Sequence, residues 1–161
     1  MTDTAPRYRY AFVLALALTA CESPTRPTDA AFGDDRTATR AAFQQARGRW
    51  SSVGISDYDY DFRRSCFCAP PFTAPVRITV RSGHVTAVVS SDTGAPLSTQ
   101  GYPSVDDLFG MLQEALDSNA YAVRVTYDAA LGYPTRFYID RDTRIADEEL
   151  AVETSALQPG R

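Results

Sequence analysis

Residues 58–63 read YDYDFR, and this short stretch decides the fold. Aromatic side chains at Tyr58, Tyr60 and Phe62 alternate with charged ones. Because successive side chains of a strand point to opposite faces, the pattern predicts a strand with one buried aromatic face and one solvated charged face. A sheet of such strands needs a second layer over its apolar face, and helices are the expected cover.

Two further alternating segments follow, 76–81 (VRITVR) and 84–89 (HVTAVV). Ser82-Gly83 lies between them and is typical of a tight turn, so the two segments are predicted to form an antiparallel hairpin. Pairing of 58–63 with 76–81 would place the two aspartates of the first strand opposite two arginines of the second. Each such pair contributes about 0.2–1 kcal/mol.

Two helices are indicated by apolar residues at helical spacing. The first covers 37–51, and the second starts after Ser104, where Asp107 completes a capping box, and stops near Asn119. The predicted inward residues are Phe43, Ala46 and Trp50 in the first helix, and Leu108, Met111, Leu112, Ala115 and Leu116 in the second.

Segments 122–128 and 135–140 alternate again and are predicted as the last two strands. The expected architecture is therefore an α+β domain over residues 36–152, with an antiparallel sheet of about five strands and two helices on one face. Residues 153–161 are expected to be a disordered tail.

The charge distribution argues against a nucleic-acid partner. The chain has 161 residues, a net charge of -4 and 16 basic residues, and the sequence contains no lysine. The arginines are scattered instead of forming a basic stripe, so we expect no nucleic acid to bind.

The amino terminus reads as a lipoprotein signal peptide over residues 1–20. Arg7 and Arg9 precede a short apolar run, which ends in Leu18-Thr19-Ala20-Cys21. About ten apolar residues are too few to span a bilayer as a helix. Cys21 is the predicted lipidation site, and 21–35 is the predicted flexible tether, because it is rich in Pro, Ser, Thr and Asp.

These features predict an exported protein that is held on the cell envelope by its lipid anchor. Glu22 follows the cysteine where an aspartate would signal retention, so the outer membrane is favoured over the inner one if the host is diderm. The expected partners are the membrane itself and an envelope protein or a cell-wall component.

Cys66 and Cys68 form the sharpest chemical feature, and three interpretations stay open. In an oxidising compartment the pair is expected to form a disulfide. A small ring is easier to reduce, so a redox-active pair is an alternative. A Cu(I) or Zn(II) site is another, for which His84 would have to supply a further ligand.

No catalytic constellation is found, so we expect neither enzymatic activity nor a cofactor. His84 follows a turn and is predicted to be exposed. The acidic run after Asp140 fails the EF-hand pattern, because Arg144 and Ile145 stand where an oxygen ligand and a glycine belong. We therefore predict a solvated turn there and no metal.

A shallow binding surface is the remaining functional hypothesis. Several tyrosines lie in predicted loops or on outward positions, and two arginines adjoin the cysteine pair. The candidate surface consists of Arg63, Arg64, Tyr102, Tyr133 and Tyr138.

The chain is similar to a family of bacterial lipoproteins that is defined by a domain of unknown function. The resemblance covers about residues 43–150, and its motifs are Trp50 with Tyr58-x-Tyr60, RSCFC at 64–68, Gly83-His84-Val85, YPSV at 102–105 and LGYP at 131–134. It implies a secreted, lipid-anchored domain. With the residues above, it predicts a non-enzymatic binding module, and a redox or metal-handling module built on the cysteine pair is the alternative.

Overall fold

The computed structural model describes Met1 and residues 36–70 and 72–160. The predicted signal peptide, Cys21 and the tether lie outside the described residues, apart from Met1. The elements are α1 (Arg36–Val53), β1 (Tyr58–Ser65), β2 (Val76–Arg81), β3 (His84–Ser90), β4 (Pro96–Leu97), α2 (Val105–Asp117), β5 (Ala122–Tyr127), β6 (Pro134–Asp140) and β7 (Leu150–Pro159). All of them fall within one compact unit, Phe32–Arg161.

The strands form one sheet in the order β4-β3-β2-β1-β7-β6-β5, and all neighbours are antiparallel. The predicted mixed α+β class with two helices and an antiparallel sheet is confirmed. The strand count of about five is wrong, because the sheet has seven strands. One missed strand, β4, is two residues long and lies inside a polar loop, where no alternation can be recognised.

The predicted tail is the other missed strand, and this error concerns the centre of the sheet. Residues 153–159 belong to β7, which pairs with β1 on one side and β6 on the other. Val152 and Thr154 are buried while Glu153 and Ser155 are exposed, so β7 does alternate. The alternation is hard to see in the sequence because its inward residues are few and one of them is polar.

Tyr58 and Tyr60 fix the start of α2 on the sheet. The hydroxyl of Tyr58 accepts a hydrogen bond from the backbone N–H of Val105 at 2.8 Å, and the hydroxyl of Tyr60 donates to the carbonyl of Pro103. The first N–H groups of a helix have no partner within the helix, so a buried hydroxyl there replaces water. The predicted capping box of Ser104 and Asp107 is present as well.

Both helices cover the same face of the sheet. The ring of Trp50 meets Tyr58 edge-on at 5.4 Å between centroids, and Phe43 of α1 meets Phe109 of α2 at 5.9 Å. These aromatic contacts, with the inward residues of β2 and β6, make one continuous core. No helix among the described residues is long and apolar enough to cross a membrane.

Candidate functional site

The sheet face opposite the helices is open and carries charged side chains. Arg77 lies 2.9 Å from Asp61, and Arg81 lies 3.5 Å from Asp59, measured between side-chain nitrogen and oxygen. The predicted cross-strand pairing of aspartates and arginines is therefore confirmed. These pairs are partly solvated, so each adds little to stability, but they hold the side chains of β1 and β2 in place.

A groove of about 370 Å³ runs over β1, β7 and β6 on this open face. β7 forms its floor, and the outward β7 residues that line it are Glu153 and Ser155. Its sides are formed by long outward side chains of the two neighbouring strands. Arg63 of β1 and Arg136 of β6 lie on either side of Glu153, because both are its register partners. The lining residues are Asp61, Phe62, Arg63, Pro75, Thr135, Arg136, Glu153, Thr154 and Ser155.

The charged side chains in this groove differ in whether they have an ion-pair partner. Glu153 forms an ion pair with Arg136 at 2.7 Å, and Asp61 is paired with Arg77. Arg63 is exposed and has neither an ion pair nor a side-chain hydrogen bond among the described residues. One guanidinium is therefore available to an anionic group, and guanidinium groups bind carboxylates in a bidentate geometry.

Arg64 and Tyr102 do not belong to a surface site, which corrects our prediction. Tyr102 is 7% exposed, and the Arg64 guanidinium carbon lies 5.4 Å from the centre of its ring and 5.0 Å from that of Phe62. Arg64 also donates to the carbonyl of Gly101, and burial lowers the pKa of its guanidinium. Arg64 therefore braces the loop before α2 by cation–π contacts.

The two remaining tyrosines of the predicted surface lie apart. Tyr133 is 6% exposed and meets the ring of Trp50 at 6.4 Å, at the turn before β6. Its place in a loop suggested exposure, but the turn folds onto α1. Tyr138 lies on the open face, where Arg124 stacks over its ring at 5.7 Å. Of the five predicted surface residues, Arg63 and Tyr138 are thus on the open face.

Cys66 and Cys68 are joined by a disulfide directly after β1. The backbone turns there, since the N–H of Cys68 donates to the carbonyl of Cys66 at 2.8 Å, and the Cα atoms are 5.2 Å apart. An extended strand would separate them by about 6.5 Å, near the upper limit for a disulfide, so the turn shortens the separation well into the usual range. The bond presents Phe67 to solvent.

His84 does not lie where it could serve as a third metal ligand beside Cys66 and Cys68. His84 is exposed and pairs with Arg81, at the end of β2 that is remote from the cysteines. No group of three or more His, Cys, Asp or Glu side chains in the described part of the chain is arranged to hold a metal ion.

In the acidic loop after β6, Asp142 and Glu148 have partners within the loop. Glu148 accepts hydrogen bonds from the backbone N–H groups of Arg141 and Asp142, and Arg144 binds the Asp142 carboxylate at 2.6 Å. That pairing lowers the pKa of Asp142. Asp140 differs, because desolvation and the nearby carboxylates of Glu148 and Glu149 raise its pKa.

We expect Asp140→Asn to stabilise the protein at pH 7. A carboxyl whose pKa is raised by folding favours the folded state at low pH, and this contribution is lost as the pH rises through the raised value. The variant should therefore have a higher free energy of unfolding at pH 7, and the gain should vanish well below pH 3.8, the ordinary pKa of the group. Urea unfolding at both pH values measures this difference. A variant that is equally stable or weaker at pH 7 would contradict the assignment.

Most of the groove was missed in the sequence. Arg136, Glu153 and Ser155 become neighbours of Arg63 through β7, which we had assigned to a tail. The signal that could have found them is the short alternation of 151–155, where small or charged residues flank Val152 and Thr154.

Comparison with known proteins gave one match. Neither the curated proteins nor the solved structures contain a match to this chain. A model of the family of unknown function DUF6174 matches residues 42–159, which include all of β7 and every residue of the groove. Because the match covers well over half of the 161 residues, the chain belongs to this family of unknown function.

Proposed function

We propose that the protein is a lipid-anchored envelope protein whose domain is a non-enzymatic binding module for a carboxylate-bearing component of the cell envelope. The observation that carries the proposal is Arg63, an exposed guanidinium without an ion pair among the described residues, on the side of the groove that runs over β7. A partly enclosed guanidinium–carboxylate contact is stronger than an exposed one, because the groove excludes part of the water.

The rigidity of the groove supports binding further. Apart from Pro75, its residues stand on β1, β6 and β7, and the pairing of these strands sets their positions. A site on paired strands loses little conformational entropy when it binds a ligand. Glu153 stands between Arg63 and Arg136, so a carboxylate that reaches Arg63 can also present a neighbouring N–H group to Glu153.

The lipid anchor is part of the same proposal and rests on the sequence. Cys21 follows the apolar run, and fewer than 20 residues separate it from α1. Intact-mass analysis of the protein from bacterial membranes should give a chain that starts at Cys21 and carries acyl groups. A full-length chain without acyl groups would overturn this part.

Site-specific photo-crosslinking in cells tests the groove. A benzophenone amino acid at Ser155 should give a discrete adduct of higher mass, because Ser155 is exposed on the floor. The same group at Gln45, exposed on α1, is the control and should give no such adduct. Digestion of the product with a protease or a cell-wall hydrolase then identifies its class. Adducts of equal yield from both positions would refute the proposal.

We expect Arg63→Ala to reduce the Ser155 adduct about tenfold or more, because a hydrogen bond to a charged group contributes about 1.5–3 kcal/mol and 1.4 kcal/mol is a factor of ten. The free energy of unfolding should stay within about 0.5 kcal/mol of the wild-type value, as for other exposed sites. Arg47→Ala, on the helical side of the domain, is the matched control and should leave the adduct unchanged. An adduct that survives Arg63→Ala would remove Arg63 from the site.

The redox alternative stays a prediction. It uses Cys66 and Cys68, which lie after the end of β1, whereas the groove residue Arg63 points to the open face within the strand.

A further inference from the structure

The most exposed large hydrophobic side chains of the described domain lie at one end of the sheet. Phe67 is 82% exposed, Tyr121 61% and Ile145 56%. Isolated exposed apolar side chains need no explanation, but a group of them at one end of a sheet indicates a contact surface.

The strand register places these three residues at the same end of the sheet. Phe67 follows β1, Ile145 lies in the loop between β6 and β7, and Tyr121 directly precedes β5. Ser65 pairs with Ala151, Ile139 with Leu150 and Ala122 with Asp140. These residues lie at the same end of the four neighbouring strands β1, β7, β6 and β5, so the three loops leave the sheet at that end. At about 4.8 Å per strand, the row is about 14 Å long. We call this end of the sheet, with Phe67, Tyr121 and Ile145, the apolar end.

The chain also enters the domain beside the apolar end. Arg40, in the second turn of α1, binds the Asp117 carboxylate at 2.8 Å and the carbonyl of Leu116 at 2.8 Å. These residues close α2, four or five positions before Tyr121. Farther along α1, Arg49 bonds to the carbonyl of Ala129 at the opposite end of the sheet. The start of α1 therefore lies near the apolar end, and its last turn, with Val53, lies at the other.

We propose that the apolar end docks on the bilayer that holds the lipid anchor, with Phe67, Tyr121 and Ile145 in the interfacial region. This inference rests on the anchoring of Cys21 proposed above. The 15 residues of 21–35 span at most about 50 Å. Such a tether keeps the apolar end close to the bilayer at high effective concentration.

The residue types fit a membrane interface. Aromatic side chains favour the headgroup level, and apolar side chains of a docked protein enter about 5–10 Å into the boundary with the acyl chains. The disulfide of Cys66 and Cys68 holds Phe67 outward before any contact, so little conformational entropy is lost on docking. End-on docking leaves the groove on the open face accessible from the side.

The acidic side chains of the loop between β6 and β7 determine which lipid should be used to test docking. Asp147 and Glu149 form no ion pair among the described residues, and anionic headgroups would repel them. Zwitterionic phosphatidylcholine vesicles with brominated acyl chains are therefore the probe. Bromine quenches tryptophan fluorescence on contact, so it reports which side chains enter the bilayer.

The full-length lipoprotein, purified from membranes and reconstituted, is compared as Phe67→Trp, Tyr121→Trp and Val53→Trp variants. Val53 is 41% exposed at the opposite end and is the matched control; the buried Trp50 of the parent protein gives the background. We expect a large loss of intensity for Phe67→Trp and Tyr121→Trp and no loss beyond background for Val53→Trp. Circular dichroism of each variant shows that the fold is kept.

Flotation of the vesicles separates the two proposals. If the protein floats but the first two variants are not quenched, or all three are quenched alike, the docking inference is wrong and the anchor stands. If the protein does not float, the anchor proposal itself fails and the docking fails with it. Crosslinking of a benzophenone at position 67 to a protein, without quenching by lipid, would assign the apolar end to a protein partner and overturn docking on lipid.

Discussion

A chain that ends at Val152 should not fold. The truncation removes 153–161, which were expected to be a disordered tail, and with them most of the pairing between β7 and β1. Only residues 150–152 remain of the strand between β1 and β6, so most of β1 loses its partner on that side. The buried Thr154, whose hydroxyl bonds to the carbonyl of Pro134, is lost as well.

The size of this effect follows from the number of broken contacts. Each ladder hydrogen bond contributes about 0.5–1.5 kcal/mol, and each buried group left without a partner costs about 1–3 kcal/mol. Several such losses together are comparable with the 5–15 kcal/mol that typically separates the folded from the unfolded state of a domain. We therefore expect the truncated chain to lack a cooperative unfolding transition.

Circular dichroism during urea unfolding and the dispersion of amide proton signals measure the outcome. The control lacks only Arg161 and keeps Gly160, whose N–H donates to the carbonyl of Asp57 at 2.6 Å. It should unfold like the full chain. A chain that ends at Val152 and still unfolds cooperatively, with an unchanged midpoint, would show that the carboxyl-terminal half of β7 is dispensable.

The sequence predicts what depends on neighbours along the chain. The alternation of 58–63, the turn at Ser82-Gly83 and the capping box of Ser104 are each encoded within a few residues, and the structure has all three. The pairing of strands that are distant in sequence cannot be predicted in this way. β1 pairs with β7 across about 90 residues, and no local pattern specifies that pairing.

The candidate site divides in the same way. The outward direction of Arg63 follows from the alternation of β1, so it could be predicted. The inward direction of Arg64 follows from the same alternation, because it stands two residues after the inward Phe62 within β1. The orientation of Tyr102 could not be predicted, because it lies in a loop, where periodicity gives no direction. The aromatic rings of Phe62, Phe72 and Tyr102 surround the Arg64 guanidinium, and that cluster exists only once three separate segments meet.

Gly132 explains why a glycine stands in the LGYP turn. A Cβ at this position would lie 2.5 Å from the carbonyl oxygen of Ala46 and 3.2 Å from the backbone nitrogen of Trp50. Real Cβ atoms do not approach backbone atoms so closely, hence α1 or the turn must move. Its φ of +86° is also one that other residues adopt only at a cost. The turn before β6 thus packs directly on the backbone of α1.

Gly132→Ala should lower the free energy of unfolding by about 2–5 kcal/mol, because a positive φ costs about 1–2 kcal/mol and overpacking a further 1–3. Gly54→Ala is the matched control, since its φ is +67° and no atom lies within 4 Å of the added Cβ. It isolates the cost of the backbone conformation and should lose only about 1–2 kcal/mol. Urea unfolding of both variants measures the difference, which reports the contact between the turn and α1. Equal losses would mean that α1 does not press on Gly132, and that the conformation of the turn alone requires the glycine.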